Sequence, residues 1–292
     1  MKSATIKSIW RFPVKSFRGE HLEKAMLEGP GMLGDRAYAL IDKESGKVIT
    51  AKSVKQFPDI LDCSAIFIEE PSSGKELPPV KITLPHGNSV MSDSDEVDQV
   101  LSDYFNKNVT LARKAPTDYT IDQYHPDIEK IHPAGFRDTS IEQKLGTALF
   151  EEIGMDSPIP VGSFMDMFPL SLITTSTLDH LAKLSPGSNF DISRFRMNLL
   201  LDSSESGLVE NGWLRKSFTV GKEVKIMVAM PDPRCVMTTL EQNGIPKDTS
   251  ILKTLVQHNR IDVGGGEFPC AGVYAIITNP GLVKLGDAIA EL

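Results

Sequence analysis

Apolar and polar positions alternate over several short stretches in the first part of the chain. The clearest of these lie at residues 5–14, 35–41 and 63–69, and turns rich in glycine and proline separate them. A period of two places alternate side chains on one face of a strand. Short strands with tight turns are typical of small β-barrels and sandwiches. We therefore predict a small β-barrel-like domain over residues 1–114, with a hairpin turn at 43–46.

Apolar residues at helical spacing occur in only a few short segments. Residues 95–105 carry an apolar stripe at this spacing after Ser94, a residue type that caps helices. A hydroxyl-rich turn at 174–177 precedes a second short helix over 178–184, and a third is predicted at 250–257. The pattern predicts an α+β fold that is predominantly β, with few short helices.

Residues 115–145 break the periodic pattern. They contain three prolines and two histidines, His125 and His132. This composition is typical of a connecting loop or lid between domains. The histidines lack partners at metal-ligand spacing, so we expect them in a solvated loop. A second, larger domain then spans residues 146–292.

An anion-binding surface is predicted in the second domain. Arg194, Arg196 and Asn198 alternate along residues 190–202, so a strand there would present all three on one face. Two guanidinium groups and an amide on one face suit a phosphate or the edge of a heteroaromatic ring. The turn at 174–177 is another seat for an anion, although the same hydroxyls serve equally as helix caps.

Composition narrows the functional classes. The 292-residue chain has a formal net charge of −8 and a pI near 5.3, which argues against a nucleic-acid surface. No apolar run approaches the ~20 residues that cross a bilayer, so we expect no membrane association. The N-terminus lacks a secretory or transit pattern, and three widely spaced cysteines make no disulfide framework. We therefore expect a cytoplasmic protein.

The segment MPDPRCVMTTL at residues 230–240 holds the strongest candidate for chemistry. Its two prolines predict a rigid turn, which a β-prone run at 236–239 follows. Arg234 can stabilise a thiolate at Cys235, and a thiolate is both a nucleophile and a metal ligand. From the residues alone, a buried cysteine that acts as a small apolar side chain is an open alternative.

Five segments, taken in order, resemble one family. They are FPVKSFRG (12–19), LGDRAYALI (33–41), FRMNLLL (195–201), RCVMTTL (234–240) and NPGLVKLGD (279–287). Together they resemble the MOSC family, named for the C-terminal part of molybdenum-cofactor sulfurase, paired with its N-terminal β-barrel domain. The resemblance implies that the second domain, 146–292, is a β-barrel and that the N-terminal one is a smaller barrel-like domain. Among the family's members, the chain resembles the amidoxime-reducing components and their bacterial homologues. Each motif alone is weak, but five in order over nearly the whole chain are specific.

The resemblance implies a molybdenum cofactor, a molybdopterin-bound molybdenum, between the two domains. Cys235 would supply the thiolate ligand of the metal, and Asp166 is the candidate proton donor. The residues implied to contact the cofactor are Lys15, Ser16, Arg36, Phe168, Thr174, Thr175, Ser176, Arg194, Arg196, Asn198 and Arg234. The family is also associated with pyridoxal phosphate binding.

The implied reaction is the reduction of small N-hydroxylated compounds such as hydroxylamines, amidoximes and N-hydroxylated base analogues. No cysteine cluster that would hold an iron–sulfur centre is present, so the electrons would come from a separate donor, a ferredoxin-type protein or a flavin or haem reductase chain. The alternative is a cofactor carrier or sulfur-transfer protein that uses Cys235 without reductive turnover. A cysteine hydrolase is disfavoured, because the sequence offers no convincing histidine partner for Cys235. A plain interaction module is disfavoured as well, because the basic and hydroxyl residues all suit one type of ligand.

Overall fold

The computed structural model describes residues 4–242 and 244–292, and most of its elements are short strands. The strands are β1 (Ala4–Arg11), β2 (Glu20–Leu22), β3 (Lys24–Glu28), β4 (Gly31–Met32), β5 (Ala39–Asp42), β6 (Ser64–Phe67), β7 (Val80–Thr83), β8 (Ser89–Met91), β9 (Val109–Ala112), β10 (Thr120–His125), β11 (Thr139–Lys144), β12 (Leu170–Thr174), β13 (Leu199–Asp202), β14 (Ser217–Val220), β15 (Val224–Pro233), β16 (Arg260–Asp262), β17 (Glu267–Asn279), β18 (Gly281–Lys284) and β19 (Ala288–Glu291). The α-helices in this part of the chain are α1 (Val97–Phe105), α2 (Thr147–Glu152), α3 (Thr175–Leu184) and α4 (Ser250–His258). The predicted fold class, α+β and predominantly β, is confirmed. None of the described helices has the length and apolar character needed to cross a membrane.

The largest sheet closes on itself. Its strands follow the order β12-β13-β1-β19-β14-β15-β17, and β17 pairs in turn with β12, which makes a closed barrel of seven strands. Inside it lies an apolar core that includes Leu172, Phe218, Ile226 and Val273. Closure removes the exposed strand edges that an open sheet of this size would leave.

The first strand of the chain belongs to the barrel of the second half. β1 lies between β13 and β19, and Thr5 is paired with both Asp202 and Ala288. Ile6 and Ile9 are fully buried in the barrel core, and β3 adds a further pairing with β18. The predicted first domain, 1–114, therefore shares its opening residues with the second.

A second core, which we call the N-terminal core, lies between α1 and two small sheets, β5-β9 and β6-β7-β8. The strand predicted at 63–69 is confirmed as β6. The hairpin predicted at 43–46 is present in a short form. Ile41 bridges Val48 in antiparallel fashion, the Asp42 amide donates to the carbonyl of Lys47 at 3.0 Å, and the Ile49 amide donates to that of Leu40 at 2.8 Å. The helix predicted after Ser94 begins at Val97, and the Ser94 hydroxyl accepts a hydrogen bond from the Glu96 amide.

Residues 115–145 are not an irregular loop. β10 and β11 pair antiparallel from Thr120 with Lys144 to His125 with Thr139. The sequence concealed this hairpin because its strands are polar on most positions, so an alternating apolar pattern is missing. The prediction that His125 is solvated is wrong, since it is only 3% exposed.

The shared barrel predicts that an N-terminal substitution will weaken the second half of the chain. Ile9→Ala should lower the free energy of unfolding by about 2–5 kcal/mol, because it leaves a cavity in the barrel core. Denaturant unfolding followed by the fluorescence of the two tryptophans, Trp10 of β1 and the buried Trp213, measures this change. Lys7→Ala, an exposed position on the same strand, should change stability by less than about 0.5 kcal/mol. An unchanged transition in Ile9→Ala would show that β1 does not support the barrel.

Candidate functional site

A cavity of about 590 Å³ lies where the barrel, the N-terminal core and the β10–β11 hairpin meet. This volume is in the range of small-molecule and cofactor sites. The predicted site residues that line it are Lys15, Ser16, Arg36, Asp166, Phe168, Arg196, Asn198, Arg234 and Cys235. The structure thus brings residues from both halves of the chain to one cavity.

Three lining residues hold a left-handed backbone that non-glycine residues rarely adopt. They are Ser16 (φ 65°), Arg36 (φ 50°) and Arg196 (φ 52°). The Arg36 amide donates to the carbonyl of Phe12 at 2.8 Å, and the Arg36 Nη2 donates to the carbonyl of Arg196 at 3.1 Å. The Ser16 hydroxyl accepts the amide of Ala51 at 3.0 Å. Strained backbone of this kind persists where surrounding contacts enforce it, and it concentrates at functional sites.

Two arginines sit on opposite sides of the domain junction and share one aromatic ring. The guanidinium groups of Arg36 and Arg196 lie over the Phe12 ring, 4.5 and 4.3 Å from its centre. Arg36 is paired with Asp35. Arg196 is 7% exposed, and burial together with Arg36 lowers its pKa to about 9. Among the described residues, no hydrogen bond or ion pair joins the Arg196 guanidinium to a protein acceptor, so the group is available to an anionic ligand.

Asp166 is clamped between two lysines. Its carboxylate bonds to Nζ of Lys15 and, at 2.7 Å, to Nζ of Lys52. Although burial opposes ionisation, the charges of Lys15 and Lys52 hold the pKa of Asp166 well below its usual range. A carboxylate that two lysines hold in the ionised form does not suit the predicted role of proton donor.

Lys52 was missed from the sequence. Burial lowers its pKa, but the nearby Asp166 and Cys235 outweigh that effect, so its net pKa is raised. It lies in an irregular stretch with no motif, and only the fold brings it to the cysteine. Arg234 was expected in that position. Its guanidinium instead bonds to Asp232 and to the carbonyl of Phe195.

Asn198 braces the junction between the barrel and the N-terminal turn. Its Oδ1 accepts from both the amide and the hydroxyl of Ser171 at 3.1 Å, and its Nδ2 donates to Asp35 at 3.0 Å. The strand predicted over 190–202 is wrong, because a 3-10 turn spans Ile192–Arg194 and β13 begins only at Leu199. The three polar residues of that segment therefore do not share a strand face.

Arg194 lies outside the cavity lining. It is fully buried, and its guanidinium donates to the carbonyls of Thr238 (3.2 Å), Leu240 (3.2 Å) and Pro246 (2.7 Å). These carbonyls belong to the segment that follows Cys235. Arg194 thus fixes the path of that segment. The donors that make these bonds are not available to a ligand in the cavity.

The turn residues Thr174, Thr175 and Ser176 also lie outside the cavity lining. The Thr174 hydroxyl caps α3 by accepting the Thr177 amide at 3.2 Å. The buried carboxylate of Glu210 accepts the Thr174 amide and the Thr177 hydroxyl. A carboxylate of the chain itself therefore occupies the predicted anion seat, and helix capping is the role that the structure supports.

Cys235 lies two residues beyond the end of β15, at the cavity wall. The two prolines before it do not form a rigid turn, because they lie in β15, where Pro233 pairs with Cys270 of β17. After Cys235 the run predicted to be β-prone forms a 3-10 turn, Val236–Thr239. Cys235 is partly exposed, whereas Cys63 and Cys270 are buried and burial raises the pKa of each thiol to about 12. Cys235 is therefore the cysteine whose thiol a ligand in the cavity can reach.

Asp232 is a second acidic group that the sequence did not reveal. Burial raises its pKa to about 6, against the lowering effect of Arg234 and of the Tyr274 hydroxyl. Tyr274 in turn stacks on Phe168 with the ring centres 5.4 Å apart. The pKa of Asp232 therefore lies closer to neutral pH than that of Asp166.

Comparison with known proteins identifies both halves of the chain. The sequence model of the MOSC N-terminal beta barrel domain matches residues 3–65, and that of the MOSC domain matches residues 160–290. The human protein "Mitochondrial amidoxime-reducing component 1" is 21% identical, over 98% of this chain and 82% of that protein. The solved structure of the YUAD protein from Bacillus subtilis covers 98% of this chain and 94% of that one, with a TM-score of 0.45 and 11% identity. The structure of YiiM from Geobacillus stearothermophilus covers 43% and 54%, with a TM-score of 0.29 and 14% identity.

The lysine clamp predicts that Asp166→Asn will strongly destabilise the protein, because two buried cations lose their partner. We expect a loss near the lower end of roughly 3–5 kcal/mol, since the Asp166 side chain remains 28% exposed. Its folded-state pKa is depressed, so this stability is present at neutral pH and is lost as the pH falls below the ordinary value of 3.8. Urea unfolding of both proteins between pH 7 and pH 3 measures the difference.

Asp122→Asn is the matched control, because Asp122 pairs with Lys47 at 2.8 Å and both side chains are more exposed than the two lysines of the clamp. Its effect should stay below about 1 kcal/mol. Equal effects of the two substitutions would show that the clamp adds nothing beyond a surface ion pair.

Proposed function

The chain belongs to the MOSC-domain family and carries that family's N-terminal β-barrel domain; on this premise we propose that it is a molybdenum-cofactor-dependent reductase of N-hydroxylated compounds. The observation that carries the proposal is the cavity at the domain junction. It holds a partly exposed thiol, Cys235, and a buried cation, Arg196, whose guanidinium has no hydrogen-bonded acceptor among the described residues. The family is related to the molybdenum cofactor. The reductive activity is our proposal.

The donor set fits a metal that brings most of its own ligands. Within the described residues, no group of three or more His, Cys, Asp or Glu side chains could hold a metal ion. The cavity offers a single soft ligand, the sulfur of Cys235, which suits a soft, redox-active metal. An organic cofactor such as molybdopterin would have to supply the remaining ligands.

The polar wall of the cavity fits the organic part of such a cofactor. Arg196 and Arg36 would bind its phosphate, since guanidinium groups are suited to bidentate contacts with phosphate oxygens. Lys15 adds a third cation. Asn198 and Asp35 would orient the pterin through the amide and carboxylate network that already joins the two halves. These contacts explain why an acidic protein concentrates basic side chains in one place.

The proposed reaction breaks the N–O bond of an N-hydroxylated substrate. Two electrons and two protons are consumed, and the products are the corresponding N–H compound and water. When bound, the molybdenum cofactor supplies the two electrons, which a separate donor of the ferredoxin, flavin or haem class restores. Asp232, whose pKa is raised to about 6, is the cavity carboxylate best suited to pass on a proton, while Asp166 stays ionised and orients Lys15 and Lys52. The printed name of the human relative, an amidoxime-reducing component, supports this substrate class.

Molybdenum content and turnover test the proposal together. The wild-type chain and Cys235→Ser are produced in a host that makes the cofactor, and metal is measured by elemental mass spectrometry. We expect near-stoichiometric molybdenum in the wild type and at least a tenfold loss in the variant, because serine replaces the soft thiolate ligand. Reduction of an amidoxime by the wild type with a chemical reductant should disappear in parallel.

Cys63→Ala is the matched control, because that thiol is buried in the N-terminal core away from the cavity. It should retain both metal and turnover. Molybdenum without any turnover would instead support a cofactor carrier or sulfur-transfer protein, and no molybdenum in any variant would contradict the metalloenzyme.

A further inference from the structure

The same cavity has an aromatic wall that takes no part in the proposed cofactor contacts. We define the aromatic wall as His125, His132 and Phe268, all of which line the cavity. His132 meets Phe268 edge to face with the ring centres 5.1 Å apart, and it meets His125 at 5.1 Å. Behind it, Phe136 stacks on His132 at 4.7 Å and does not line the cavity. The β10–β11 hairpin thus contributes rings to a site otherwise built by the barrel and the N-terminal core.

Strand register places this wall beside the cysteine. Pro233 of β15 pairs with Cys270 of β17, and the amide of Arg234 donates to the carbonyl of Pro269 at 2.7 Å. Cys235 follows Arg234 along the chain, Phe268 precedes Pro269, and both Cys235 and Phe268 line the cavity. The thiol and the wall therefore face the same space from two segments that are joined by backbone contacts.

Close packing holds the wall in place. A Cβ atom on Gly266 would lie 2.6 Å from the Cβ of Pro133, and Gly266 has a φ of 116° that favours glycine. The tip of the β10–β11 hairpin consequently rests on the turn between β16 and β17. Gly266 thus allows this close approach, which a residue with a Cβ atom would prevent.

The wall is neutral at physiological pH. Burial lowers the pKa of His125 to about 4, and burial also lowers the pKa of His132. Lys52 and His132 add to the effect on His125. Uncharged imidazole and phenyl rings favour stacked or edge-to-face contact with another planar ring.

We propose that the aromatic wall is a ring-binding subsite, so that the preferred substrates carry their N-hydroxylated group directly on a planar aromatic or heteroaromatic ring. The inference rests on the proposed function and adds to it the part of the substrate that is recognised. The cationic side of the cavity is left to the cofactor, and the substrate ring lies against Phe268 and His132 with its N–O bond toward Cys235.

Paired substrates test the subsite. Benzamidoxime and acetamidoxime carry the same reactive group and differ in the ring, so kcat/KM is measured for both with the molybdenum-loaded protein. Phe268→Leu should lower kcat/KM for the aromatic substrate by about 3- to 10-fold, mainly through KM, and leave the aliphatic one within about twofold. His132→Leu should have the same selective effect. Phe136→Leu, which alters the cluster outside the cavity, is the control and should not be selective.

Product binding gives a readout that does not depend on turnover. Calorimetric titration with benzamidine and with acetamidine, which carry the same charge, should show tighter binding of the ring-bearing product and loss of that difference in Phe268→Leu. Equal binding of both products, or equal kcat/KM for both substrates in the wild type, would overturn the subsite and leave the proposed reductase intact. Failure to reduce either substrate, with the binding preference retained, would overturn the reductase and keep the subsite.

Discussion

The closure of the barrel by the first strand of the chain is the constraint on which the site depends. β1 enters between β13 and β19, and the Trp10 amide donates to the carbonyl of Asn198 at 2.8 Å. The chain then leaves the barrel directly into the turn that carries Lys15 and Ser16. Because β1 is fixed on both edges, this turn is fixed against the barrel end from which Arg196 projects. The cavity exists because one strand serves both halves.

Charges that would be costly alone are arranged in this cavity so that most are compensated. Asp166 forms ion pairs with two lysines, Asp35 with Arg36, and Asp232 with Arg234. Removing water from unpaired charges costs several kcal/mol each, so such pairs are tolerated where they offset that cost. Arg196 is the exception, since it is buried without a direct protein acceptor among the described residues. A buried cation that the fold leaves unpaired is a place for a ligand to contribute the missing charge.

The backbone at the site and the ring cluster above it depend on unusual conformations. Ser16, Arg36 and Arg196 hold positive φ angles, and Gly266 allows the approach of Pro133. Each is enforced by contacts from a different part of the chain. Local sequence preferences would not choose these conformations, so they form only once the two halves and the hairpin have packed. Rigid placement of the thiol, the cations and the rings follows from the same packing.

The sequence alone determined the β-rich class, the short helices near residues 97 and 250, and the segment around Cys235, because these follow from local periodicity and from motif order. It also identified Lys15, Arg36 and Arg196 as residues of one cavity, through a resemblance that extends along the whole chain. Only the tertiary structure decided that Arg194 is an internal brace, that Glu210 fills the predicted anion seat, and that Lys52 stands by Cys235 where Arg234 was expected. A side chain's type fixes what it can bond, whereas the partner it meets depends on which distant segments are brought beside it.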